Sequence, residues 1–195
     1  MGRVIVVNHV TLDGVMQAPG HADEDPRDGF EHGGWGQAGS DPAMMDAMAP
    51  AMADEGALLF GRVTFERFAS YWPSQPDSPF TEPLTRKRKY VASTTLTADP
   101  AWSGSTLLRG DVPQAVRALA AGDGPDLTIM GSGVLVRSLL AHDLIDTWIL
   151  MTHPLVLGSG RRLFGDGAPS ALRLTDSVTT STGVIIATYA SGSTR

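Results

Sequence analysis

The sequence predicts an α/β fold with a mostly parallel central sheet and antiparallel strands at one edge. Three observations lead there. Short β-branched runs alternate with segments of helical apolar spacing up to residue 141. Beyond that point extended segments follow one another, the pattern of a parallel sheet finished by antiparallel strands. Finally, 195 residues with 42% hydrophobic and 18% charged content suffice for a full core, which predicts one domain over 1–195.

Each element has its own signal. RVIVVNHV (3–10) is a continuous β-branched run, as in a strand buried on both faces. Residues 11–40 carry glycines, prolines and acids without periodicity and read as a long loop, a length that marks function or disorder. Asp41 and Pro42 suit the N-cap and first turn of a helix over 41–56, in which Met44, Met45, Met48 and Met52 fit one face and Pro50 forces a kink or an early end. ALLFG (57–61) is a short buried strand, and RVTFERFASYW (62–72) turns into a helix near Thr64. A proline-rich surface segment (73–83) precedes strands at 89–94 and 105–110. Helix 111–124 has the clearest ends, with Asp111 as cap, Gln114 at the capping-box position and Gly122 to close it. DLTIM (126–130) is a strand, and 132–141 a helix with Val134, Leu135, Leu139 and Leu140 on related faces. Residues 146–158 are extended, and 172–190 read as two strands around a turn at Thr182–Gly183.

Composition excludes several function classes. The chain has no cysteine, which removes disulfide frameworks, thiol catalysis and Cys/His zinc sites and fits a reducing cytoplasm. A formal net charge of −6 disfavours binding to nucleic acid or to acidic membrane surfaces. The densest basic stretch, RKRKY (86–90), is short and reads as solvated. MGRVIVVNHV is too short an apolar stretch for a signal peptide, and no run approaches the ~18 apolar residues of a membrane span. A soluble, cytoplasmic protein acting on a small molecule is expected. The five histidines lack metal-site spacing, HADED (21–25) reads as a solvated acidic loop, and neither a nucleophile elbow nor a Walker lysine is present.

Three strand-to-helix or strand-to-loop turns remain. Gly131-Ser132-Gly133 lets backbone approach a ligand before a helix whose free N–H groups favour phosphate. Gly61-Arg62-Val63-Thr64 places an arginine fork at a helix mouth. Ser93-Thr94-Thr95 offers three hydroxyls. Each also reads as an ordinary turn. Together, at carboxyl ends of strands in one sheet, they lie where ligands of α/β sheets gather.

NHVTLDG (8–14), FGRVTFE (60–66), VASTTL (91–96) and IMGSGVLV (129–136) occur in the order found in dihydrofolate-reductase-like proteins. With HPLVLGSGRRLF (153–164) and STGVIIATY (181–189), the chain most resembles stand-alone proteins similar to the C-terminal reductase domain of bifunctional riboflavin-biosynthesis deaminase-reductases. The resemblance implies a three-layer α/β/α fold, a homodimer and NADPH bound across the strand ends. It also implies hydride transfer to a small heterocycle, in the manner of a dihydrofolate reductase or a 5-amino-6-(5-phosphoribosylamino)uracil reductase.

Carried over by residue, Gly61, Arg62 and Thr64 form the cofactor turn. Ser93, Thr94 and Thr95 join Arg62 at the adenosine-ribose phosphate, and Gly131, Ser132, Gly133 and Val134 follow the pyrophosphate towards nicotinamide. The loop over 14–40 is the flap. Asp13 is either an active-site acid at its root or part of an Asp-Gly turn. Asp46 is either a proton donor or solvent-facing. Trp35 and Trp72 either stack on a flat substrate or belong to the core, and Arg161, beside Arg162, either holds a ribose phosphate or flanks a loop. Two rivals to the reductase stay open: a non-catalytic NADP(H)-binding or sensory protein, and an interaction domain without ligand.

Overall fold

The computed structural model describes residues 1–192 apart from Asp54, Asp99, Asp166 and Ala168. Its strands are β1 (Val4–Thr11), β2 (Ala57–Gly61), β3 (Arg88–Ala92), β4 (Ser105–Leu108), β5 (Leu127–Met130), β6 (Thr147–His153), β7 (Leu172–Thr179) and β8 (Ile185–Ser191). Its helices are α1 (Ala43–Met52), α2 (Arg62–Tyr71), α3 (Thr81–Arg86), α4 (Val112–Ala120) and α5 (Gly133–Leu140). The eight strands form one sheet in the order β4-β3-β2-β5-β1-β6-β8-β7. Pairings are parallel from β4 to β6, and β8 runs antiparallel to both β6 and β7. The expected mixed sheet with an antiparallel edge is therefore the observed one. Among the described residues no helix is long and apolar enough to cross a membrane.

The β-branched run of β1 explains the layering. Val4, Val6 and Val10 pack against Val116 of α4 and Leu135, Val136 and Leu139 of α5, while Ile5 and Val7 meet Met44 and Ala47 of α1. Side chains of a strand alternate between faces, so an uninterrupted apolar run buries itself only with helices on both sides. β2 and β5 pair only through Ala57–Leu58 and Leu127–Thr128. Beyond those residues their carboxyl halves no longer pair, and that gap positions the site.

Several local expectations are corrected. Helix α1 starts at Ala43, later than expected, and its N-cap is Pro42 rather than Asp41, whose Oδ1 accepts from Ala43 N at 2.9 Å from one position further out. It ends at Met52, and Asp54 of the expected helix lies outside the described residues. Met45 is 46% exposed and does not share the buried face of Met44. Arg62 already belongs to α2, with Gly61 as its N-cap. At the end of the proline-rich segment and beyond it α3 forms, a helix the sequence did not announce. RKRKY is not solvated throughout, because Lys87 and Lys89 are buried. Nor is HADED wholly solvated, since Asp25 is buried.

The long loop after β1 carries order of its own. Val15 bridges Arg162, short 3-10 turns form at Arg27–Gly29 and Gln37–Gly39, and Val15, Ala18, Phe30 and Trp35 make a small core with Leu155 and Leu157. Gln17 is the polar hub beneath it. Its Nε2 donates to the Asp25 and Arg27 carbonyls at 3.0 Å each, and its Oε1 accepts from Arg161 N at 2.9 Å. Both N–H groups and the oxygen of this buried amide are thus engaged by backbone, which ties the loop to the 155–163 segment.

Candidate functional site

A cleft of about 530 Å³ opens at the carboxyl ends of β1, β2, β3 and β5. Where β2 and β5 part, side chains replace the ladder. Asn8 of β1 accepts from Gly131 N at 2.8 Å and donates to Gly131 O at 3.2 Å, extending the β1–β5 pairing by one amide. Gly131 and Ser132 then both adopt positive φ, 62° and 55°. For serine that left-handed conformation costs roughly 1–2 kcal/mol and persists only where neighbours impose it. Here they do: Ser132 N donates to Thr64 Oγ1 at 3.0 Å, and Ser132 Oγ accepts from Gly61 N at 3.0 Å. The two glycine turns are one clasped unit. Val136 N makes the first helical bond of α5, to Ser132 O, so the amides of Gly133, Val134 and Leu135 have no intrahelical acceptor at the cleft. Val134, expected on the apolar face of α5, is 69% exposed and lines the cleft.

The third turn is a hydroxyl turn in its own right. Ser93 Oγ accepts from Thr95 N at 3.1 Å and from Leu96 N at 3.0 Å. Ser93, Thr94 and Thr95 nevertheless all line the cleft. Arg62 lines it too, paired with Glu66 one turn along α2 at 2.8 Å. An exposed pair of this kind is worth only ~0.3–0.5 kcal/mol, so an incoming anion displaces Glu66 at little cost.

Charge sets the cleft apart from the rest of the surface. Six of the chain's 15 lysines and arginines line it, namely Arg27, Arg62, Arg67, Arg137, Arg161 and Arg162, against two acids, Glu24 and Asp25. Burial alone would raise the Asp25 carboxyl, but Arg27 and Arg67 beside it outweigh that and hold it below its ordinary value. Burial raises Glu24. On the floor of the cleft His9 of β1 faces His153 of β6, Nδ1 to Nε2 at 2.9 Å. Burial and the neighbouring ring bring His9 down to about 4, and burial lowers His153.

The cofactor residues expected from the sequence, together with Arg161, are brought to this one cleft. Four other expected residues are placed elsewhere. Asp13 accepts from Thr11 Oγ1 at 2.6 Å, Leu157 N at 3.2 Å and Gly158 N at 2.9 Å, bonds that hold its carboxyl at about 2 and staple the loop root to residues 157–158. Asp46 is exposed on α1 and does not line the cleft. Trp35 is buried in the loop core, its Nε1 donating to Gln17 O at 2.6 Å. Trp72 packs on Phe68, Tyr71 and Phe80.

Sequence reasoning missed His9, Glu24, Arg27 and Arg67. For Arg67 a signal existed, since Thr64, Arg67 and Phe68 fall at i, i+3 and i+4 on one helix face and all three line the cleft. For His9 the signal was a polar pair, Asn8-His9, interrupting a run otherwise fit for burial.

A family model described as the RibD C-terminal domain matches residues 3–186. The uncharacterized protein YyaP of Bacillus subtilis (strain 168) is 28% identical over 137 residues, covering 68% of this chain and 72% of that one. Among solved structures, a putative riboflavin biosynthesis protein from Shewanella sp. PV-4 superposes with a TM-score of 0.70 at 22% identity, over 98% of this chain and 99% of the other. RibD of Acinetobacter baumannii gives 0.65 at 16% identity, over 98% of this chain and 58% of its own. Dihydrofolate reductase of Schistosoma mansoni gives 0.60 at 15% identity, over 98% and 99%. These likenesses share the fold; with a family match over nearly its whole length, the chain belongs to the RibD C-terminal domain family.

Proposed function

We propose that the chain is an NADPH-dependent reductase of a small heterocyclic substrate, of the phosphoribosylamino-pyrimidine or dihydrofolate type. The observation that carries this reading is the convergence of two glycine turns, one hydroxyl turn and six arginines on a single cleft in a chain of net charge −6. Unpaired amides at a helix start and arginine forks are donors for phosphate oxygens. Gly61 adds a test of fit. A Cβ built there meets nothing nearer than 3.8 Å, so the fold leaves room beside its backbone for a ligand.

Gly61, Arg62 and Thr64 would hold the adenosine side with Ser93, Thr94 and Thr95, and Gly131 to Val134 the pyrophosphate and nicotinamide. NADPH, when bound, supplies hydride. The protein's share is to bind, to orient and to exclude water under the 14–40 loop. Arg161, held by Asp28 at 2.7 Å, would meet an anionic substrate group. A second copy of the chain would cover the apolar hairpin β7–β8, giving a homodimer. The placement of Asp13 and Asp46 outside the cleft favours one alternative, an NADP(H)-binding protein without turnover.

Titration with NADPH and NADH, followed by nicotinamide fluorescence, tests the reading. Micromolar binding with NADPH preferred is the expected result. Arg62→Ala should cost NADPH about 1.5–3 kcal/mol, roughly 10- to 150-fold, and remove most of the preference. Unchanged affinity in that variant removes the phosphate turn from the proposal. NADPH binding without oxidation against either substrate type selects the alternative.

A further inference from the structure

His9 stands on the α1 side of β1 and borders the cleft together with Met48 of α1 and Met151, its register neighbour on β6. Behind it lies His153, 2% exposed, with the two ring centroids 5.2 Å apart. The loop seals His153 from the other side. Trp35 meets it edge-on at 5.1 Å, and Gly39 approaches so closely that a Cβ there would lie 2.5 Å from His153 Nδ1 and 2.8 Å from a Val184 methyl. Among the described residues neither His153 Nδ1 nor His9 Nε2 has a hydrogen-bond partner.

This packing chooses the tautomers. Only one of the two facing nitrogens can carry the hydrogen between them. If His9 Nδ1 carried it, neutral His153 would need its own hydrogen on Nδ1, at the ring edge against which the Gly39 backbone packs. Gly39 O accepts from Thr182 Oγ1 at 2.9 Å, and among the described residues no hydrogen bond joins it to His153 Nδ1. C–H groups carry slight positive charge, which suits a lone pair and opposes an N–H. The hydrogen therefore belongs on His153 Nε2, which donates to His9 Nδ1, and His9 must carry its own hydrogen on Nε2.

We propose that His9 is a substrate-contact residue whose Nε2–H is a fixed donor on the cleft floor, selecting a substrate that presents a carbonyl oxygen or an imine-type ring nitrogen there. The word substrate rests on the reductase reading above; the tautomer assignment does not. Burial keeps both rings neutral at pH 7, so each holds one hydrogen. The charged groups of the same cleft are Glu24, Asp25 and the six arginines, so anionic parts of a ligand have other partners and His9 reads a neutral acceptor. A donor on a carbonyl or imine heteroatom draws electron density from its carbon, the polarisation that hydride addition to that carbon requires. Met48 gives a flat ring an apolar, polarisable seat beside the donor, with Met151 buried behind it.

Long-range ¹H–¹⁵N NMR on protein labelled at histidine reads each tautomer directly. At pH 7 both His9 and His153 should be neutral and protonated on Nε2. Adding 5-amino-6-(5-phosphoribosylamino)uracil, a pyrimidinedione with two carbonyl oxygens, in the presence of NADP⁺ should shift the His9 Nε2–H signal and leave the tautomer of His153 unchanged. A bare His9 Nε2, or a signal that does not move, overturns the proposal. In parallel, His9→Phe should weaken that pyrimidine at least tenfold and His9→Gln, which restores an N–H donor, should recover most of it, with NADPH affinity within twofold throughout. Equal pyrimidine binding by His9→Phe also overturns it. Failure of the wild-type protein to bind NADPH would sink the reductase reading while leaving the tautomer result in place.

Discussion

Two glycines of the cleft are glycine for different reasons. At Gly131 φ is +62° and a Cβ would stand 3.0 Å from Thr64 Cγ2, so the fold itself forbids a side chain. At Gly61 φ is −77° and ψ 155°, ordinary extended backbone, and a Cβ meets Leu135 and Ser132 only at 3.8 Å. Gly61→Ala should therefore change stability by less than ~1 kcal/mol, the stiffer unfolded chain offsetting a poorer N-cap for α2. The same methyl narrows the mouth between the two turns and should weaken NADPH tenfold or more. A thermal melt and a fluorescence titration of one variant separate the two effects, and unchanged binding would mean that no ligand approaches Gly61. The histidine pair makes a second residue-scale prediction. His9 titrates at about 4 in the fold against 6.5 when exposed, so the unfolded chain takes up the proton first as pH falls. Its contribution is complete above pH 6.5 and is lost between 6.5 and 4, by at most about 3 kcal/mol. His153, also lowered, acts in the same direction. Glu24, raised by burial, acts in the opposite direction by losing stability as pH rises above its ordinary 4.5, and Asp13 contributes its loss only below about 4. Denaturant melts at pH 7 and pH 5 should show a smaller loss for His9→Phe than for wild type, and equal losses would refute the assignment.

At the scale of elements, what was legible had its cause nearby in the chain. β1 announces itself by an unbroken β-branched run, and α4 by Asp111, whose Oδ1 does accept from Gln114 N at 2.9 Å. The three turns of the cleft were legible for the same reason, since glycine and hydroxyl punctuation is local chemistry. Failures came where the deciding partner is remote. RKRKY looks like surface, yet Lys89 Nζ donates to Thr85 O and Lys87 O at 2.8 Å and to Ser103 O at 2.9 Å, 4.4 Å over the Trp102 ring. Thr85 belongs to the last turn of α3, whose carbonyls lack helical donors. Missing α3 and misplacing Lys89 are thus one error, because the lysine caps the helix that the prolines concealed. Burial brings the Lys89 ammonium down to about 8, which still leaves it charged at neutral pH. The His9–His153 contact spans 144 residues, and the long loop is ordered by Gln17, one amide bonding to residues 8, 10 and 144 positions away. No periodicity encodes such a partner.

For the whole molecule, the cleft and the hairpin make separate demands. The cleft's lining residues gather at the parallel part of the sheet. At the opposite edge β7 pairs only with β8, in a ribbon whose Leu174 and Ile185 are 53% and 46% exposed. Leu174 pairs with Tyr189, and Ile185 lies four residues from Tyr189 along β8, so both side chains face the α4–α5 side of the sheet. Phe164, 42% exposed, lies 5.4 Å from the Trp148 ring, and Trp148 is itself the register partner of Tyr189. Apolar groups gathered on an edge ribbon are an association surface, and an unpaired edge is itself a template for pairing. Light scattering after size-exclusion chromatography should therefore find a dimer, and Leu174→Asp combined with Ile185→Asp should give a monomer through mutual repulsion and loss of apolar contact. A wild-type monomer at micromolar concentration would remove the second copy from the proposal. Because no residue of β7 or β8 lines the cleft, the monomeric variant should keep NADPH affinity within a few-fold of wild type. A variant that loses its partner and its cofactor together would instead mean that the hairpin's packing reaches, through β6 and the buried His153, to the floor on which His9 stands.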